Sequence, residues 1–474
     1  MMKKKDTDSI QFGEGNFMRA FVDYCIQLLN EETDFVGKVN IVQPIEKGMI
    51  TDLKKQNGQY HVFPEGVIEG KQLRSRHLIR CIDKLINPYN DFQSYLKLAE
   101  NKSLTFIFSN TTEAGIADDK NDDINNKPPN SFPAKLLMLL YHRFQKFEGD
   151  PSMILHIIPC ELIEKNGLKL KEILIEISKR WGLGDKFKNW LNLNKFYNTL
   201  VDRIVPGFPK NEIDFYEKGL PFKDKLMVTC EPFFLWVIEG SKELLEIFPA
   251  NQLKKVDLIV VDDLKVYRTR KVRILNGCHT SMVPVGLLNK TPTVSGALND
   301  DFLKGFITEA LFEEIIPSID FDEDELKSYA ASVLDRFSNP FIIHQLESIA
   351  LNSISKFRVR VLPSILSYLK KEGKAPKNLS FAMASLIYYY GKEISQHSYE
   401  LNDDSSNIEF FKKIWKTQSI KTVTEKTLSN SSLWGQSLAE KKPLIDEVTL
   451  ALKAIYSNDK IDVAYEVFKK KCDE

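Results

Sequence analysis

Short apolar runs alternate with longer helical stretches through the first half of the chain, and this alternation restricts the possible folds more than any other feature. Such runs, separated by helices, predict a parallel sheet with helices on both faces. Parallel strands also need crossover connections, and the spacing leaves room for them. The predicted strands are residues 9–12, 39–42, 104–109, 153–159 and 257–261.

The pattern changes after Val261, where strand-like runs almost disappear and helical periodicity takes over. The clearest predicted helices there are residues 302–315, 324–336, 342–355 and 381–391. A chain that switches from alternating elements to helices is typical of two domains. We therefore predict an α/β fold in which a doubly wound domain, residues 1–265, precedes a mostly α-helical domain, residues 266–474.

The charge balance argues against two classes of partner. Lys and Arg number 65, as do Asp and Glu, so the formal net charge is +0 at pH 7. A neutral chain has no general attraction for nucleic acid or anionic membranes, and we expect neither as a partner. No apolar stretch approaches the roughly 18 residues of a membrane span, and the charged start lacks the apolar region of a secretory signal.

The six cysteines are scattered, with no Cys-x-x-Cys pair. This distribution argues against a zinc ribbon and against a disulfide framework. We therefore expect a reducing, cytoplasmic setting.

A Gly-x-Gly turn, formed by Gly13 and Gly15, follows the first predicted strand and precedes a helix predicted from Arg19 to about residue 29. Glycine permits a tight turn and lets backbone N–H groups approach a pyrophosphate, and a helix N-terminus adds positive partial charge. The third glycine of the usual pattern is replaced by Met18, so the motif alone fits a ligand-free strand–turn–helix about equally well. Its place at the first strand of a long α/β domain favours a Rossmann-like dinucleotide site. The predicted cofactor-contacting residues are Ile10, Gln11, Phe12, Gly13, Glu14, Gly15, Asn16, Phe17, Met18, Arg19 and Ala20.

The second and third strands offer further cofactor contacts. An acidic residue at the end of the second strand usually binds the ribose of NAD, whereas an arginine suits NADP. Here Glu46 lies slightly beyond that end and Lys47 follows it, so these residues alone do not decide between the two. At the end of the third strand, Asn110, Thr111 and Thr112 can line a nicotinamide pocket. They can equally cap a helix.

A helix after the last predicted strand carries a lysine, an amide and an imidazole. At about 100° per residue, Lys271, Asn276 and His279 lie within an arc of roughly 140°, and Arg268 falls inside it. Lysine can act as a general acid/base, an amide can donate to a developing oxyanion, and histidine can orient a hydroxyl. Four cations lie within residues 268–273, so a basic surface helix is the alternative.

With these residues the chain resembles the polyol-specific long-chain dehydrogenases, the mannitol dehydrogenase family, whose signature is a lysine, four residues, an asparagine, two residues and a histidine. The similarity extends from about residue 9 to beyond residue 363. The other matching segments are IQFGEGNFMRAF (10–21), SNTTEAGI (109–116), SFPAKLL (131–137), IIPCELIEKNG (157–167), LVDRIVP (200–206), RFSNPFIIHQL (336–346) and SISKFRVRVLP (353–363).

The resemblance implies a metal-independent oxidoreductase that uses NAD(H). It implies that Lys271 is the general acid/base and that Asn166 and Asn276 polarise the substrate oxygen. It further implies that His279 positions the substrate and that Asp202 belongs to the site.

Two departures from the family pattern concern the substrate. Polyol-using members typically carry an acid three positions before the lysine, where this chain has Arg268. They also tend to carry an arginine eight positions before a later lysine, here Lys356, where this chain has Ser348. A guanidinium pairs bidentately with a carboxylate, so we predict a small sugar-acid substrate with Arg268 as a carboxylate ligand. Lys356, Arg358 and Arg360 are rivals, and Arg268 could instead face solvent.

Several alternatives remain open at this point. The sugar acid could be either of two hexuronate epimers, or the substrate could be a neutral polyol. The chain could also be a non-catalytic nucleotide-binding regulator or a helical interaction scaffold. We expect a monomer or a small homo-oligomer.

The polar segment 117–131 follows a strand end and could cover a site or be a plain surface insertion.

Overall fold

The structure is a computed structural model that describes residues 6–111, 114–210, 212–391, 401–416 and 419–473. Backbone contacts separate the chain into two compact units. The first comprises the described residues up to Gly66 together with Gln72–Leu264, and the second comprises Val67–Lys71 and the residues from Lys265 onward. The short segment joins the second unit because the amides of Glu69 and Gly70 donate to the Asp335 carboxylate, at 2.6 and 3.3 Å. No sequence pattern predicted that residues 67–71 belong to the second unit.

A six-stranded sheet forms the frame of the first unit, in the order β6-β2-β1-β7-β8-β9. Every neighbouring pair in it is parallel. Counted within the sheet, this is the order 3-2-1-4-5-6 of doubly wound dinucleotide-binding folds, and the predicted fold class is confirmed. The strands are β1 (Asp6–Phe12), β2 (Val36–Val42), β6 (Ile82–Ile86), β7 (Leu104–Ser109), β8 (His156–Pro159) and β9 (Lys195–Phe196).

Two smaller sheets complete the strands of this unit. One has the order β10-β12-β13, and the other has the order β11-β3-β4, with β5 pairing β3. Residues 257–261 form a strand as predicted, but they lie in the first of these small sheets and not in the large one, which is a correction. The strands of these two sheets are β3 (Tyr60–Ile68), β4 (Lys71–Arg74), β5 (His77–Ile79), β10 (Asn198–Asp202), β11 (Val228–Cys230), β12 (Leu235–Glu239) and β13 (Asp257–Val261).

Helices cover both faces of the large sheet because side chains alternate along each strand. In β7, Phe106 and Phe108 enter one hydrophobic cluster, and Ile107 enters the other. The helix predicted from Arg19 is broken at Phe21, where the backbone leaves helical geometry (φ −122°, ψ −76°). The helices are α1 (Asn16–Ala20), α2 (Val22–Glu32), α3 (Ile50–Lys55), α4 (Phe92–Lys97), α5 (Phe132–Lys146), α6 (Asn166–Arg180), α7 (Asp185–Leu193), α8 (Ile213–Glu217) and α9 (Leu244–Ile247).

The second unit is helical from Lys265 onward. The prediction of one helix over 342–355 is wrong, because Gln345 is extended and Asn352 adopts a left-handed φ of 53°. The α-helices are α10 (Lys265–Arg270), α11 (Gly277–Leu288), α12 (Val294–Asn299), α13 (Asp301–Glu309), α14 (Glu323–Phe337), α15 (Leu346–Ala350), α16 (Ser353–Arg360), α17 (Leu362–Glu372), α18 (Lys377–Gly391), α19 (Ser405–Trp415), α20 (Ile420–Ser429), α21 (Ser431–Trp434), α22 (Lys442–Ser457) and α23 (Ile461–Asp473).

Two stretches of this unit, Lys271–Asn276 and Ala310–Ile315, are π-helical. The first lies between α10 and α11 and so interrupts one continuous helix. Among the helices that the structure describes, none is long and apolar enough to cross a membrane.

Candidate functional site

The turn after β1 lies where the strand order of the large sheet reverses, between β1 and β7. Gly13 has a φ of +115°, a region that residues with a side chain rarely adopt. A Cβ on Gly13 would stand 2.7 Å from the carbonyl oxygen of Asn110. The amide of Asn110 in turn donates to the carbonyl of Phe12 at 3.0 Å. Glycine is therefore required here so that the ends of β1 and β7 can approach each other.

Gly15 has a different role in the same turn. Its φ is −66°, it is exposed, and no atom of the described residues would lie within 4 Å of a Cβ built on it, outside its two chain neighbours. Gly15 is also the N-cap of α1, and as a glycine it has no side chain that could accept from the amides of the first turn. The start of α1 is therefore a candidate position for an anion.

Most side chains predicted to contact the cofactor point into the protein. Ile10, Phe12, Met18 and Ala20 are buried in the hydrophobic core. Gln11 is buried too, and its amide donates to the Gly13 carbonyl at 3.0 Å. These five residues can contribute only backbone groups to a ligand. Asn16 and Phe17, in contrast, are partly exposed.

Arg19 is 1% exposed and supports the turn from inside. Its guanidinium donates to the Glu14 carbonyl at 3.1 Å, to the Asn16 side chain at 2.7 Å and to the Leu226 carbonyl. Burial lowers the pKa of this guanidinium. Because its donors are directed at these groups, Arg19 fixes the turn and is not placed to bind a phosphate.

The loop after β2 is held by two side chains. The buried carboxylate of Glu14 accepts from the amide of Met49 at 3.0 Å, and burial raises the pKa of this carboxyl group. The Gln43 amide donates to the carbonyls of Ile45 and Glu46, each at 2.9 Å. Gln43 thus occupies the strand end where a ribose-binding acid usually stands, and its side chain serves the loop instead.

At the end of β7, Asn110 and Thr111 are half-buried beside the Gly13 turn, and Thr112 lies outside the described residues. The side-chain amide of Asn110 donates to the Cys160 carbonyl at 2.9 Å. The amide and hydroxyl of Thr111 both donate to Glu161, each at 3.0 Å. The sequence patterns did not point to Glu161, although an acid two residues after a strand end in a matching segment was a usable signal.

Asn166 is 0% exposed at the start of α6. Its amide group donates to the carbonyls of Pro159 and Glu161, at 3.0 and 3.1 Å, and contacts the Thr199 hydroxyl at 3.0 Å. Its oxygen accepts from the amides of Gly167 and Thr199, each at 2.9 Å. Both hydrogens of the amide are therefore directed at protein acceptors.

Asp202, also predicted for the site, is buried at the end of β10, where it pairs across the sheet with Leu235.

In the second unit, the predicted catalytic helix does not have uniform α-helical geometry. Residues Lys271–Asn276 form a π-helical stretch, so the arc computed for an ideal α-helix does not apply to Lys271 and Asn276. A π turn brings residues five apart closer along the helix surface, and such turns occur frequently at functional sites. The local geometry thus places Lys271 and Asn276 nearer to a common face than an α-helix would.

The three signature residues differ in exposure. Lys271 and Asn276 are half-buried, and His279 is 7% exposed. The His279 ring stacks on Phe337, with centroids 4.0 Å apart, and meets the His344 ring edge-on at 5.2 Å. The helix also packs closely near Gly277, where a Cβ would stand 2.9 Å from the carbonyl of Arg360. Packing therefore fixes the ring and the helix, while the lysine and the amide remain partly accessible.

The cations around this helix fall into two groups. Arg273 donates to Ser364 and, at 2.7 Å, to the hydroxyl of Ser318, and burial lowers its pKa to about 10. Arg270 is buried with its guanidinium 4.3 Å from the ring centre of Tyr329. These two arginines support the fold.

Arg268 and Lys356, the predicted carboxylate ligands, are half-buried. Lys356 donates to the Ile349 carbonyl at 2.9 Å. Burial and the nearby Arg360 guanidinium lower the pKa of Lys356.

The segment 117–131 is tied to the helices beside it. Asp118 pairs with Arg180 through two hydrogen bonds, of 2.9 and 2.8 Å. The buried Asp122 carboxylate accepts from the backbone amide of Ser131 at 2.9 Å. These contacts do not distinguish between a segment that covers a site and a plain surface insertion.

The part of the chain that the structure describes holds no group of three or more His, Cys, Asp or Glu arranged for a metal ion.

Family profiles match both units of the chain. The profile described as "Mannitol dehydrogenase Rossmann domain" matches residues 7–247, and that described as "Mannitol dehydrogenase C-terminal domain" matches residues 263–456. Among curated proteins, the "Altronate oxidoreductase" of Yersinia enterocolitica is 43% identical over 455 residues, which is 94% of each chain. The protein of that name from Escherichia coli O7:K1 is 41% identical over 458 residues, again 94% of each chain.

Solved structures share the fold at lower identity. Mannitol 2-dehydrogenase of Pseudomonas fluorescens, in a ternary complex with NAD and D-mannitol, is 18% identical, with a TM-score of 0.65 over 99% of this chain and 95% of that one. A substrate-free D-sorbitol dehydrogenase is 19% identical, with a TM-score of 0.78 over 97% of each chain.

Proposed function

The chain belongs to the mannitol dehydrogenase family, and on that premise we propose that it is an NAD(H)-dependent oxidoreductase that interconverts D-tagaturonate and D-altronate. The observation that carries the substrate assignment is the 43% identity, over 94% of both chains, to a protein named altronate oxidoreductase. Arg268, which stands where polyol-using members carry an acid, agrees with an acidic sugar.

The turn after β1 fits the cofactor. A Cβ on Gly15 would meet open space, and α1 begins there without a side-chain cap from Gly15. A helix N-terminus of this kind favours an anion. Asn110 and Thr111, at the neighbouring strand end, are the residues best placed to meet the nicotinamide half. We assign the pyrophosphate to the turn at Gly15 and the nicotinamide end to these two residues.

In this proposal, residues of the second unit transfer the proton and stabilise the negative charge on the substrate oxygen. When bound, NADH supplies the hydride that reduces the ketone carbon. Lys271 donates a proton to the substrate oxygen in reduction and removes it in oxidation. Asn276 donates a hydrogen bond to that oxygen as negative charge develops, and His279, held by Phe337, orients a neighbouring hydroxyl.

The roles assigned to Asn166 and Asp202 carry over from the family pattern. Because both amide hydrogens of Asn166 are directed at protein acceptors, donation to the substrate requires one of them to be released. Asn276 is half-buried and is our first choice as donor.

Arg268 is our first choice for the substrate carboxylate, because its guanidinium can make a bidentate pair. Lys356 is the second choice, since it offers a point charge and its ammonium already donates to a carbonyl.

The proposal is tested by following NADH absorbance with purified protein and tagaturonate, fructuronate or fructose, with NADPH as the cofactor control. Preferential NADH oxidation with tagaturonate supports it. A preference for fructuronate or fructose would contradict the substrate assignment and leave the dehydrogenase chemistry standing. Measurable NADH binding without turnover of any of the three would favour the non-catalytic nucleotide-binding alternative.

A further inference from the structure

Glu161 is a buried carboxylate at the carboxyl ends of two strands of the large sheet. It lies two residues beyond Pro159, the last residue of β8, and it is 2% exposed. One carboxylate oxygen accepts from the Ser109 hydroxyl at 3.0 Å, and the other accepts from the amide and the hydroxyl of Thr111, both at 3.0 Å. The side chain thus joins the end of β8 to the end of β7.

The main chain of Glu161 makes a second connection, since its carbonyl accepts from the Asn166 amide at 3.1 Å. One residue therefore contacts both Thr111, assigned to the nicotinamide end, and Asn166, assigned to the substrate oxygen.

Stability alone is a poor explanation for this carboxylate. Burial raises the pKa of Glu161, which means that removing the charge from water has a cost. A neutral side chain of similar size could join two strands without that cost. The side chain at this position has a further property, because its three hydrogen bonds fix the directions of two hydroxyls and one amide together.

We propose that Glu161 is a positioning residue for hydride transfer, holding Thr111 through its side chain and Asn166 through its carbonyl. The proposal rests on the proposed function, which places the nicotinamide beside Thr111. It also extends the site to a residue that need not touch cofactor or substrate.

Two substitutions separate the hydrogen bonds from the charge. In Glu161→Gln, the amide oxygen can still accept from Thr111, and the amide nitrogen can donate to the Ser109 hydroxyl, so the geometry is retained. In Glu161→Ala, all three bonds are lost. Glu164→Ala is the matched control, because Glu164 is an exposed glutamate of the same loop.

The NADH dissociation constant, measured by fluorescence, should rise roughly ten-fold in Glu161→Ala, as expected for the loss of hydrogen bonds to a charged group. It should stay within about three-fold of wild type in Glu161→Gln and in Glu164→Ala. The deuterium isotope effect with 4-deuterated NADH should increase in Glu161→Ala alone, because loosened positioning slows the hydride step. A purely structural role would lower the melting temperature without changing the isotope effect.

Equal NADH affinity and equal isotope effects in wild type, Glu161→Ala and Glu161→Gln would overturn the proposal. If Glu161→Ala fails to fold, Thr111→Val removes one donor, and an unchanged NADH affinity there would also overturn it. Wild-type protein that binds NADH but reduces none of the ketones would contradict the proposed function. The comparison of NADH affinities would then still decide whether Glu161 positions Thr111 for the cofactor.

Discussion

The carbonyl oxygen of Asn110 lies 2.7 Å from the position that a Cβ on Gly13 would occupy. Gly13→Ala should therefore lower the free energy of unfolding by about 1–3 kcal/mol, through this contact and the positive φ, and weaken NADH binding as well. Gly15→Ala is the matched variant, because its backbone is unstrained and the added methyl group meets open space. We expect Gly15→Ala to keep the melting temperature and to weaken NADH binding. Equal melting temperatures for the two variants would contradict this account.

Lys271→Ala should lower kcat by about 10²–10⁴, the usual contribution of a general acid/base, with little change in NADH affinity. Stopped-flow measurement of NADH oxidation checks the rate, and fluorescence titration checks the affinity. Lys265→Ala, at an exposed lysine on the same continuous helix, is the control and should behave as wild type. Near-normal turnover in Lys271→Ala would exclude the assigned role.

Arg268→Gln should raise KM for tagaturonate by about ten- to hundred-fold, because a hydrogen-bonded charge pair with the carboxylate is lost. KM for NADH should change little. Steady-state kinetics of Arg268→Gln and Lys356→Gln, measured side by side, decide between the two candidate ligands. A larger KM effect in Lys356→Gln would transfer the assignment to that lysine.

Asp23 predicts a dependence of stability on pH. Burial raises the pKa of its carboxyl group from an ordinary value of 3.8 to about 7, and its side chain accepts from the Tyr60 hydroxyl at 2.6 Å. Since the folded state keeps the proton that the unfolded state loses, the free energy of unfolding falls as pH rises from about 4 to about 7.

Asp23→Asn removes this titration and retains an acceptor for Tyr60. Between pH 5 and pH 8, the stability of Asp23→Asn relative to wild type should therefore increase by about 3 kcal/mol, as measured by urea unfolding. Asp83→Asn, at an exposed carboxylate of the same unit, should show no such gain. A pH-independent difference for Asp23→Asn would show that the buried carboxyl group does not titrate in this range.

The sequence predicted the elements whose pattern is local. The run at residues 104–109 became β7 with the predicted bounds, because a buried parallel strand needs a nearly continuous apolar run. The strand Ile82–Ile86 was missed because charged Asp83 and Lys84 lie within it, at the exposed edge of the sheet. Edge strands tolerate charge, so their pattern is weaker.

The site residues divide along the same line. Gly13 and the signature residues of the second unit were predicted from short motifs. The internal role of Arg19 depends on Leu226, which is 207 positions away, and the hydrogen bonds of Asn166 depend on Thr199. Such partners are brought together only by the fold, so a local motif suggested ligand contacts where the structure shows internal support.

The π-helical stretch Lys271–Asn276 also determines which changes in chain length this helix can accept. A π turn contains one residue more than an α turn, so deleting one residue within the stretch would restore regular α-helical spacing. Because the wide turn already accommodates the additional residue, the part of the helix before the deletion would keep nearly the same orientation relative to the part after it. A one-residue deletion within α10 or α11 has no wide turn to absorb it and would rotate the two parts of the helix by about 100° relative to each other. The same one-residue deletion should therefore disturb the orientation of the signature residues least when it falls within Lys271–Asn276.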